Sequence, residues 1–66
     1  MNNKIRVARA EVRMTQQQLA EAVDVSRQTI NAIESGKFVT STVLALKIAR
    51  TFGKSVEDIF FLGDED

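Results

Sequence analysis

Arg27, Gln28 and Thr29 stand in a row directly after Ser26, inside the stretch TQQQLAEAVDVSRQTINAIESG that runs from 15 to 36. A serine that can cap a helix, followed at once by long polar side chains, puts hydrogen-bonding groups on the first turn of that helix. Arg27 has the fork geometry to donate twice to guanine O6 and N7. Gln28 can pair with adenine N6 and N7, and Thr29 can touch a thymine methyl or meet a phosphate. Other chemistry is poorly supplied. The chain has no histidine and no cysteine, which removes the commonest general base, the commonest metal ligands and any disulfide. No paired carboxylates suggest an active site, so an enzyme is not expected, and no cofactor or metal is implied.

The elements that must hold these residues can be read from caps and spacing. Thr15 with Gln18 fits a capping box, and Ser55 with Asp58 resembles a second. Ser26 opens another helix, and Ser41, or Thr40 beside it, opens the helix through TVLALKIARTF. Gly36 and Gly53 stand where helices should stop. The pattern predicts five helices near 3–12, 15–23, 26–34, 41–52 and 55–60, with no strand of useful length and one domain over 1–66. The helices at 15–23 and 26–34, joined by a tight turn, have the build of a helix-turn-helix, whose second helix can enter a DNA major groove. Asp24 falls where that turn needs a positive φ, and Arg13 is placed similarly after the first helix, at a strain on the order of 1 kcal/mol.

The expected core comprises Leu19, Ala20, Val23, Ile30 and Ile33, the row Leu44, Ile48 and Phe52, and Ile5, Ala8, Val25, Leu46, Ala49, Val56, Ile59 and Phe60. At 66 residues such a core is small, and a chain of this size often gains stability from a partner. The segment IFFLGDED carries more large apolar side chains than five helices need. Phe61 and Leu62, with Ile59 beside them, are therefore expected at a contact between two copies.

The net charge is zero, but its distribution is uneven. Residues 1–54 hold nine basic and four acidic side chains, whereas 55–66 hold five acids and no base, with the acidic tail at 63–66. Such a polar field can face DNA with one end and keep the other from phosphate. No apolar run is long enough for a membrane span and no signal-peptide pattern opens the chain, so a cytoplasmic protein is expected.

TQQQLAEAVDVSRQTINAIESGK followed by LALKIARTFGKSVEDIF resembles the Cro/C1-type, or Xre-like, helix-turn-helix family of prokaryotic and phage regulators, over roughly 4–62. The resemblance implies an all-α, compact five-helix, lambda-repressor-like DNA-binding domain that dimerises on a palindromic operator. It implies that Arg27, Gln28 and Thr29 face base edges, that Gln16 holds a phosphate and braces the recognition helix, and that Asn31 and Lys37 lie near phosphates. Ser26 joins that set because amides at the starts of both helices favour phosphate. Arg9 and Glu34 match a partly buried ion pair between the first and third helices. Relatives usually carry Asn-Pro-Ser-Leu before the fourth helix; here it is Val39-Thr40-Ser41-Thr42, and Val43 is expected to take over the leucine's contact. A homodimeric repressor is the leading reading. An antitoxin that represses its own operon and binds a toxin is the alternative, and an interaction module without DNA binding is disfavoured by Arg27 and Gln28.

Overall fold

In the computed structural model, which describes residues 1–66, five helices are stacked around one core: α1 (Ile5–Glu11), α2 (Gln16–Val23), α3 (Arg27–Glu34), α4 (Thr42–Thr51) and α5 (Val56–Ile59). Four of them start where cap chemistry dictates. The hydroxyls of Thr15, Ser26, Ser41 and Ser55 accept the backbone N–H three residues on, and all four caps are extended. Thr15 and Ser55 complete capping boxes with Gln18 and Asp58. Ser41, not Thr40, opens α4. Arg13 and Asp24 do take positive φ, 55° and 61°.

The chain ends hold a feature the helical spacing does not announce. β1 (Asn2–Asn3) pairs antiparallel with β2 (Phe60–Phe61), in the register Asn2 to Phe61 and Asn3 to Phe60. This ribbon shortens the first and last helices relative to expectation. Lys4 N–H donates to Ile59 O at 2.7 Å, and Asn3 ties in twice: its Oδ1 accepts the Ile5 N–H, and its Nδ2 donates to Ile33 O at 2.8 Å. The second bond fastens the N-terminus to the C-terminal turn of α3.

Twelve residues form the core: Ile5, Ala8, Leu19, Ala20, Val23, Ile30, Ile33, Ala45, Ile48, Ala49, Ile59 and Phe60. Three expectations fail here. Leu46 is 54% exposed, because α4 turns its Ala45–Ile48–Ala49 stripe inward and Leu46 lies about 100° away from Ala45 around the axis. Val43 is exposed on the same helix and makes no substitute for a leucine contact. Ile59, expected at a subunit contact, is only 1% exposed; it closes the core behind the ribbon and has no surface to offer a second copy. Leu44, Phe52, Val25 and Val56 are partly buried against the core.

The Asp58 carboxylate is held below its ordinary value, first by the Ser55 backbone N–H and then by the Ser55 hydroxyl; desolvation opposes them, and Lys54 and Lys4 add smaller contributions in the lowering sense. A depressed folded value gives a contribution present above the unfolded value, near pH 4, and lost as pH falls through the folded one. The Asp66 carboxylate, held down by the Gly63 N–H and the N-terminal ammonium, adds to the same acid limb. Asp58→Asn should therefore lower stability modestly near pH 7 and make its decline below about pH 4 shallower, so that variant and wild type converge in acid, as read by ellipticity against pH.

Candidate nucleic-acid interface

The turn between α2 and α3 is built on Asp24 in the left-handed region, φ 61° and ψ 49°. Val25 N–H then closes onto Ala20 O at 3.0 Å and the Val25 side chain packs against the core. That turn sets α3 across α2, and the two pack together. Ile30 and Ile33 anchor α3 from behind, while Arg27, Gln28 and Asn31 are exposed. None of the chain's salt bridges involves Arg27.

Ser26 and Thr29 are paired, Oγ to Oγ1, at 3.0 Å, while Ser26 Oγ also accepts the Thr29 N–H at 3.1 Å. Both hydroxyls are thus engaged at the helix start. Gly36, at φ 78°, ends α3, with Lys37 N–H returning to Ala32 O at 3.0 Å. Lys37 follows as an exposed cation.

Behind the exposed edge lies a polar lock. Arg9 Nε donates to Glu34 Oε2 at 2.6 Å and its NH2 group to Oε1 at 3.1 Å, a two-pronged pair; its third donor reaches Met14 O at 2.8 Å. The Glu34 side chain is 2% exposed and that of Arg9 15%. Gln16 Nε2 donates to Glu34 Oε1 and to Asn31 Oδ1, both at 3.2 Å. These bonds tie the start of α2 to two side chains of α3. The two amide hydrogens of Gln16 are both engaged, so its remaining donor is its backbone N–H at the open start of α2. The same bond occupies Asn31 Oδ1 and leaves the Asn31 Nδ2 hydrogens for an outside acceptor. Arg6, largely exposed, adds a weaker contact to Glu34 Oε1 at 3.9 Å.

Two features of this face are absent from the expected site. Phe38, exposed just past the end of α3, lines one depression together with Ser26, Gln28, Thr29 and Ala32. The available signal was its place: an aromatic in the loop right after the glycine stop, with no helical stripe to bury it. The second is the tie from Asn3 to Ile33, which spacing within one element does not reveal.

A helix-turn-helix with its second helix locked from behind and bare in front is the class of protein these features define. The helix-turn-helix family model, HTH_3, matches residues 5–59, and the chain belongs to this Cro/C1-type family of DNA-binding transcription regulators. Over 66 residues it is 46% identical to the uncharacterized HTH-type transcriptional regulator YgzD of Bacillus subtilis and 50% identical to MJ0272 of Methanocaldococcus jannaschii, with both chains of each pair fully covered. Among solved structures it is similar to the clp gene regulator ClgR of Corynebacterium glutamicum, with a TM-score of 0.77 and 33% identity over 82% of this chain. The match spans 57% of the ClgR chain. No helix is long and apolar enough to cross a membrane.

Proposed function

We propose that this regulator is a homodimeric repressor that reads a palindromic operator in the major groove, with Arg27, Gln28 and Thr29 toward the bases and Ser26, Asn31, Lys37 and the start of α2 at Gln16 toward phosphates. The observation that carries the reading is the contrast between the two sides of α3. Its rear is fixed by Ile30, Ile33 and the Arg9–Glu34–Gln16 lock, and its front presents Arg27 and Gln28 exposed. A reading helix needs both, because rigid placement limits the entropy lost when long side chains bind. Thr29, with its hydroxyl paired to Ser26, offers the bases its methyl more than its oxygen.

Phe61 and Leu62, at 41% and 74% exposure, remain the subunit contact in this reading, now without Ile59. A two-fold axis there would set two recognition helices about 34 Å apart, one turn of DNA. Phe61→Ser and Leu62→Ser together should raise the dimer dissociation constant at least tenfold in sedimentation, and an unchanged dimer would remove this contact from the account. A second reading, an antitoxin with a protein partner, is favoured by one observation: Val39, Val43 and Leu46 are exposed apolar side chains on and before α4, beyond the tail pair. A stoichiometric small protein co-purifying from the native host would support it.

The test of DNA binding itself is its salt dependence. Affinity for duplex DNA should fall linearly in log–log form with salt, at a slope of about −0.9 per phosphate neutralised. A flat profile would sink the reading.

A further inference from the structure

The depression beside the reading edge has an apolar wall. Of the five residues that line it, Ser26 and Thr29 hold each other by their hydroxyls, and Gln28 is exposed to solvent. What remains is the Ala32 methyl and the Phe38 ring, half of whose surface is exposed. Ala32 follows Gln28 by four residues, so the two lie on one stripe of α3, and Phe38 lines the same depression from the loop beyond the helix end. The ring leaves apolar surface in water, and covering it with an apolar group of a partner is favourable. The one apolar group on a base edge in the major groove is the C5 methyl of thymine, and alanine and phenylalanine are among the side chains that contact it.

We infer that Phe38, with Ala32, is a specificity-determining pair that receives the methyl group of a thymine next to the base read by Gln28. This rests on α3 being the reading helix. The depression is continuous with the proposed base-reading edge through Gln28, and the cation Lys37 precedes Phe38 in the chain, which suits a surface that meets DNA. The pair adds selection between thymine and the other pyrimidine without any hydrogen bond.

Uracil tests this cleanly, because it keeps every hydrogen-bonding group of thymine and lacks the methyl. The probe is the duplex that the full chain selects from a random pool, resynthesised with deoxyuridine at each thymine in turn. At one thymine per half-site the wild-type protein should lose about fourfold in affinity per half-site, the size expected for one methyl group buried. Phe38→Ala should bind thymine and uracil duplexes equally at that position, keep its preference elsewhere and sediment as the wild type does. Phe38→Leu should restore much of the discrimination. A wild-type protein indifferent to uracil at every position overturns the proposal, as does Phe38→Ala with its discrimination intact. Phe38→Ala that weakens both duplexes equally and loses its dimer overturns it too, by making Phe38 a subunit contact. A pool that yields no selected sequence removes the reading helix itself, a different failure.

Discussion

Arg9→Ala should destabilise the domain by about 3–5 kcal/mol, the cost of leaving a buried charge without its partner. Glu34 would then be a carboxylate 2% exposed, held only by Gln16 and the distant Arg6. A domain of this size has about 3–10 kcal/mol in total, so the variant would be near the edge of folding. At about 4–8 °C per kcal/mol for domains of 60–100 residues, its melting temperature should fall by roughly 12 °C or more. Glu34→Ala should cost less, because Arg9 keeps its bond to Met14 O and is exposed enough to be hydrated. The double change Arg9→Met with Glu34→Leu should recover a good part of the loss, since apolar pairs of similar volume often replace buried ion pairs without penalty. Thermal unfolding by circular dichroism reads all three. If Arg9→Ala and Glu34→Ala melt alike and within a degree or two of wild type, the lock is not what holds α3.

Arg27→Ala should act on binding and leave folding alone. Its side chain is exposed and joins none of the salt bridges in the chain. Losing one bidentate contact to guanine costs about 1–3 kcal/mol in each half-site, hence about 2–6 kcal/mol in a two-fold complex. Affinity for the specific operator should drop 30-fold or more. Affinity for random duplex should drop only by the share of one positive charge in each subunit, because base edges contribute nothing there. Competition of the two DNAs, with the melting temperature as control, measures this. Equal losses on both would reduce Arg27 to a phosphate contact.

These two predictions differ in how visible their basis is in the chain. The caps and the turn are legible because their chemistry is local: Ser26 before Arg27, Thr15 three residues before Gln18, Asp24 at the one turn position that needs a positive φ. All of these are present in the structure. The ribbon of Asn2–Asn3 with Phe60–Phe61 is not legible, since strands of two residues leave no alternation and their partners lie at opposite ends of the chain. It is also what buries Ile59 and Phe60 and spares Phe61. α4 misleads for another reason. TVLALKIART is apolar on more than one side, so spacing alone does not say which stripe faces inward, and Leu46 turns out instead of Ala45. Gln16 was legible as a brace only through family resemblance. That both its amide hydrogens are engaged depends on how α2 crosses α3, which no local pattern encodes.

The central claim is that α3 reads sequence in pairs. Selection of bound duplexes from a random DNA pool by the full chain tests it most directly. The account predicts an enriched motif made of two inverted half-sites about 10 base pairs apart, centre to centre, with a guanine in each half whose preference disappears for Arg27→Ala. A pool that emerges without enrichment, or a single motif unchanged by Arg27→Ala, would contradict it.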